Sequence, residues 1–182
     1  MNDKMVTDNA LLTRFAVDGD ESAFKELVSR HQKALFQFVW KRIGHESDAL
    51  DLVQKVFIQV FSKAEQFRGD ANFKTWLYQI AINHCKNHYR SKERQRIDDV
   101  EIDDLKLQSD TNTQEEIEDI EQKRILNKAI MKLPDKQRLT LELHLYQGHT
   151  FPEVAEILGC AVGTAKANYH HAIITMKNIL GG

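Results

Sequence analysis

Residues 150–180 read TFPEVAEILGCAVGTAKANYHHAIITMKNIL. Thr150 and Glu153 have the T-x-x-E spacing of a capping box and Pro152 falls in the first turn, so a helix should run from here to about Leu158. Gly159 supplies a tight turn, and Ala165, Tyr169, Ala172, Ile173, Met176 and Ile179 recur at helical spacing along a longer helix from about Val162 to Leu180. A short helix, a glycine turn and a longer helix predict a helix-turn-helix, whose second helix enters the DNA major groove. Its outward residues, Thr164, Lys166, Ala167, Asn168, His170 and His171, suit phosphates and base edges, and an asparagine can pair bidentately with adenine.

The same periodicity extends upstream. From Glu115, the residues Ile117, Ile120, Arg124, Ile125, Ala129 and Ile130 predict a helix up to Leu133, where Pro134 stops it. Asp135 starts another through KQRLTLELHLYQG, ended by Gly148.

Composition extends the helical reading to the whole chain. Its 182 residues hold only 8 glycines and 2 prolines, with 42% hydrophobic and 29% charged residues, which predicts an all-α protein of one or two small domains. No apolar run approaches the ~18 residues that cross a bilayer, and MNDKMVTDNA has no apolar leader core, so no membrane insertion and a cytoplasmic location are expected. Cys85 and Cys160 lack both the density of a disulfide framework and the C-x-x-C spacing of a zinc site, which fits a reducing compartment.

Charge divides the chain. Residues 1–97 carry +4, residues 98–121 carry −10 and residues 122–182 carry +4. The boundaries read as a domain at 8–96, an acidic linker at 97–114, extended by self-repulsion, and a second domain at 115–182.

In the first block a short helix at Asn9–Val17 is closed by Gly19, and Asp20 caps a longer one whose Phe24, Leu27, Val28, Leu35, Val39 and Ile43 keep helical spacing up to Gly44. Ser47 is the expected cap of the next helix, with Leu50, Val53, Phe57, Val60 and Phe61 on its inner side and Asp48, Asp51, Gln54, Lys55 and Gln59 left polar. FRGDANF at 67–73 reads as a loop. The helix after it should bury Phe73, Trp76, Leu77, Ile80, Ala81 and His84, and its end gathers Lys86, Arg90, Lys92, Arg94 and Arg96 against Glu93. On it Tyr78, Gln79, Asn83, Lys86, Asn87, Tyr89 and Arg90 combine planar rings, amides and cations, a mixture suited to unstacked bases; aromatics at helical spacing are more often core, so the polar subset carries that reading.

Three stretches in order, DALDLVQKVFIQVF (48–61), FRGDANFKTWLYQIAINHCKNHYR (67–90) and LPDKQRLTLELHLYQGHTFPEVAEILGCAVGTAKANYHHA (133–172), resemble the extracytoplasmic-function sigma factors, the small two-domain branch of bacterial transcription initiation factors. The resemblance implies a protein that binds core RNA polymerase, through the coiled coil of its largest subunit and the flap, and directs it to promoters by −35 and −10 elements. It implies polymerase contacts at Asp48, Asp51, Leu52, Gln54, Val56, Phe57 and Gln59, and contacts to the melted −10 element at Phe67, Arg68, Asp70, Asn72, Phe73, Gln79, Asn83, Lys86, Asn87 and Arg90. For the −35 duplex it implies Thr150 together with the outward residues of the recognition helix. It also implies an anti-sigma partner, no cofactor and no catalysis by the chain itself. Leu50 and Lys55 stand where the family commonly has acidic residues, and Asn168 and His171 where many relatives have cations, which predicts weaker phosphate neutralisation.

Two rival readings remain at this level. His84 and His88, at i and i+4 beside Cys85, have the spacing of a metal pair but lack a further ligand. A conventional helix-turn-helix regulator, acting as a dimer without polymerase, accounts for the C-terminal block and leaves the DLVQ surface unexplained. No P-loop, G-x-S-x-G or H-E-x-x-H motif supports an enzyme.

Overall fold

The computed structural model describes residues 6–67, 69, 71–95 and 125–181, and all the regular structure in them is helical. The chain divides into two units, Met1–Leu105 and Lys106–Gly182. The acidic segment, Ile117, Ile120, Arg124, Arg68 and Asp70 lie outside the described residues.

The first unit is built from α1 (Asp8–Asp18), α2 (Glu21–Ile43), α3 (Glu46–Lys63) and α4 (Phe73–Gln95), with a 3-10 turn at Ala64–Gln66. Residues at the termini set these boundaries. Gly19 and Gly44 close α1 and α2 at φ 66° and 75°, a left-handed conformation that a Cβ disfavours. Asp20 caps α2 by accepting hydrogen bonds from the Ser22 and Ala23 amides. The Ser22 hydroxyl, and then Arg14, hold its carboxyl down at about 2. The start of α3 departs from the sequence reading: its N-cap is His45, with no side-chain hydrogen bond, and Ser47 lies inside the first turn.

Leu12, Leu27, Leu35, Val39, Val56, Val60, Phe73 and Leu77 form the centre of this unit, each fully buried. The stripe of α3 that packs inward is Ala49, Leu52, Val53, Val56, Phe57 and Val60. Leu50 and Phe61, expected inside, are 54% and 53% exposed, as is Ile58 at 59%. Two apolar stripes share α3, and only one of them meets the core.

The second unit comprises α5 (its described part covering 125–131), α6 (Asp135–Leu141), a π-helical turn at Glu142–Tyr146, α7 (Phe151–Leu158) and α8 (Val162–Leu180). The helix expected to continue to Gly148 therefore changes pitch at Glu142, an insertion of the kind found at functional sites. Ala129, Ile130, Leu133, Leu141, Ala172 and Met176 make the core, with Tyr169, Ile173 and Ile179 packed on it. Thr150 and Glu153 form the complete capping box, and Gly159 turns the chain at φ 65°.

Candidate polymerase and nucleic-acid interfaces

Three surfaces emerge. On the first, an open apolar groove between α2 and α3 is lined by Phe24, Val28, Gln32, Leu50, Val53, Gln54, Phe57, Ile58 and Phe61. Rings of Phe15, Phe24 and Phe61 pack together with centroids 4.8–5.3 Å apart, fixing one end of it. Exposed apolar residues gathered in this way make the groove a candidate protein-binding surface. Asp51 and Gln54 are exposed on α3, whereas Asp48 and Gln59 are half-buried and already bonded. Asp48 pairs with Lys92 at 2.8 Å, and Gln59 Oε1 meets His84 Nε2 at 2.8 Å. Lys92, above all, keeps the Asp48 carboxyl below the ordinary carboxylate range despite partial burial.

Leu52 and Val56 are corrected here. They are 5% and 0% exposed, on the core side of α3, and Phe57 is buried at 9%. Alternation along DLVQKVF sends these apolar residues inward, so Leu52 and Val56 support the surface from beneath, while Phe57 still edges the groove. Sequence reasoning missed the groove itself. The signal available was a second set of large apolar residues, Leu50, Ile58 and Phe61, beyond what one buried stripe needs.

The second surface is the outward stripe of α4 and the loop before it. Asn83, Lys86, Asn87 and Arg90 are exposed at helical spacing with half-buried Gln79 in line, forming a row of amides ending in cations. The loop joins α4 through Asn72, whose Oδ1 accepts from the Lys74 amide at 3.1 Å, and through Phe67, whose ring lies 5.2 Å from Trp76. Two rings near this surface lie in the core, as helical spacing predicts for Phe73, and the −10 contact that the resemblance implies for Phe73 is corrected. Tyr78 is 1% exposed, packed edge-on to Phe38 at 5.1 Å, and burial raises its pKa. Phe73 is wholly buried, with His31 and Trp76 around it, so both rings are core rather than base platforms. Tyr89 remains half-exposed and donates its hydroxyl to the Arg42 carbonyl.

The histidines of α4 are structural in geometry. Desolvation, then Lys55, lowers the pKa of His84, and desolvation, then Lys92, lowers that of His88 in spite of Asp48. Among the described residues no three of His, Cys, Asp and Glu converge as a metal site.

The third surface is the helix-turn-helix. The Cys160 amide donates to the Ala155 carbonyl at 2.9 Å across the turn, and fully buried Ala165 lets α8 approach α7 closely. His144, Phe151 and Tyr169 lock the pair with ring centroids 4.2–5.5 Å apart. The His144 Nδ1 position is fixed by the His149 carbonyl at 2.7 Å, a link from within the π-helical turn to the residue before the Thr150 cap. Thr164, Lys166, Ala167, His170 and His171 are exposed and Asn168 is half-buried, while the Thr150 side chain is engaged in its own cap.

Two folded units, one carrying an amide-rich helix and an apolar groove and the other a helix-turn-helix, have the organisation of a sigma-type initiation factor, and comparison with known families shows that class. Residues 27–95 match the model of Sigma-70 region 2, and residues 123–176 that of Sigma-70, region 4. The ECF RNA polymerase sigma-E factor of Haemophilus influenzae is 32% identical over 96% of each chain. That of Escherichia coli is 31% identical over 96% of this chain and 95% of its own. Among solved structures, the sigma factor RpoE of Bartonella quintana, in complex with the anti-sigma factor NepR, has a TM-score of 0.72 at 26% identity, covering 87% of this chain and 96% of that one. CnrH, in complex with the cytosolic domain of CnrY, gives 0.71 at 25% identity, covering 96% of this chain and 97% of that one. The chain belongs to the extracytoplasmic-function sigma factors of the Sigma-70 family. Its function is accordingly promoter-specific transcription initiation with RNA polymerase, and its family is one of transcription regulators. Among the described residues no helix is long and apolar enough to cross a membrane.

Proposed function

We propose that residues 8–96 hold core RNA polymerase and the melted −10 element, that residues 115–182 read the −35 element as duplex, and that residues 97–114 tether the two. Asp51, Gln54 and the groove beside them take the polymerase coiled coil. Gln79, Asn83, Lys86, Asn87 and Arg90, with the loop at 67–72, take the single strand. The exposed residues of α8 enter the major groove. The observation that carries this reading is the α4 stripe, because amides and cations in one row serve unstacked bases and phosphates together.

Work of this kind is binding and strand separation. The polymerase performs the chemistry, and the chain contributes no cofactor. Each weakly basic domain binds DNA feebly alone, and tethering raises the effective concentration for the second contact. An anti-sigma protein covering the polymerase surfaces is the expected regulator, supported by the structural neighbour captured with an anti-sigma factor. Action with polymerase places the protein in the cytoplasm.

The test is Asn83→Ala in reconstituted holoenzyme. Promoter-dependent transcription should fall several-fold while affinity for core polymerase stays unchanged; equal loss of both refutes the assignment.

A further inference from the structure

The geometry points to Asn9, on α1, as a positioning residue for promoter reading: its carboxamide fixes the Ala71–Phe73 segment through which the loop enters α4. Asn9 Nδ2 donates to the Ala71 carbonyl at 3.1 Å, and Asn9 Oδ1 accepts from the Phe73 amide at 2.8 Å. One side chain thereby satisfies a loop acceptor and a first-turn donor of α4 from 62 and 64 residues away. Asn72, between those two residues, caps the next amide, so the loop exit is gripped on both sides.

The grip has a rigid base. Asp8, the neighbour of Asn9, pairs with Arg30 at 3.0 Å and His31 at 2.6 Å on α2, and Arg30 also donates to the Val6 carbonyl at 2.8 Å. His31 in turn packs edge-on against Phe73 at 5.4 Å. Two routes from α2, one through Asp8 and Asn9 and one through the His31 ring, therefore converge on the residue that begins α4. A loop that receives an unstacked base must be held before the base arrives, since ordering it on binding lowers affinity and selectivity. Asn9 touches no base; it acts through Ala71 and Phe73.

This inference rests on the proposed reading of the loop and α4 as the −10 surface. It is tested with holoenzyme on a DNA library randomised over both promoter elements, comparing base preferences of transcribed templates. Asn9→Ala removes both bonds. Asn9→Asp keeps the acceptor at the α4 N-terminus, where negative charge is favoured, and so preserves the fold while discarding the tie to Ala71. Both variants should lose about two- to ten-fold of discrimination at the downstream element, the range of one net hydrogen bond, with the upstream preference and core affinity intact. Unchanged downstream preference in Asn9→Asp, or equal flattening of both elements, overturns the role of Asn9. A wild-type holoenzyme that selects no downstream element instead overturns the reading of the surface.

Discussion

Lys92 Nζ stands 2.8 Å from Asp48 Oδ2, tying the basic end of α4 to the first turn of α3. A lysine in a run that reads as DNA-binding thus spends its charge on a carboxylate of α3. Lys86 and Arg90, exposed on the same helix, are the cations proposed above to meet phosphate. Lys86→Ala or Arg90→Ala should each reduce the salt slope of holoenzyme–promoter binding by about one, whereas Lys92→Ala should leave it nearly unchanged. Titration of promoter affinity against salt separates the three.

On α3, depth decides the effect of substitution. Leu52→Ala empties a core site and should cost about 2–5 kcal/mol of stability, seen as a lower denaturant midpoint. Gln54→Ala, at an exposed position, should leave that midpoint within about 0.5 kcal/mol of the wild type and still weaken the polymerase complex.

Acid should loosen the first unit. The folded pKa values of His84 and His88 lie below the ordinary 6.5, chiefly through desolvation, so the unfolded chain takes up more protons there. Stability is therefore retained above pH 6.5 and declines as the pH falls below it. Replacing both histidines with glutamine should flatten thermal unfolding profiles as the pH falls below 6.5.

The two cysteines should differ in reactivity. Cys85 is 2% exposed and burial pushes its thiol up to about 11, while Cys160 is partly exposed in the turn of the helix-turn-helix. At pH 8 iodoacetamide should label the native chain once, at Cys160, with the second label entering only on unfolding. Mass spectrometry of the digest reads the site directly.

Local chemistry made most of the fold legible. Gly19, Gly44 and Gly159 close helices because their left-handed backbone follows from lacking a Cβ, and Asp20 and the Thr150–Glu153 pair act within four residues of themselves. What stayed hidden depends on partners distant in sequence. Helical spacing identifies an apolar stripe on α3 but not which of its two stripes meets α2 and α4, so it assigns Leu50 and Phe61 to the inside although both are exposed. Phe73, in the loop that the resemblance gives to the −10 element, lies under the His31 ring at the start of α4. The bonds of Asn9 span more than 60 residues and leave no local pattern.

The central claim is that this chain engages polymerase through the exposed face of α3, and co-elution with bacterial core RNA polymerase on a sizing column tests it most directly. The wild-type chain should elute with the core enzyme, and the Asp51→Arg, Gln54→Ala double variant, folded by circular dichroism, should elute mostly free. A double variant that co-elutes as fully as the wild type, or a wild-type chain that ignores polymerase and binds duplex DNA as a dimer, would contradict the account.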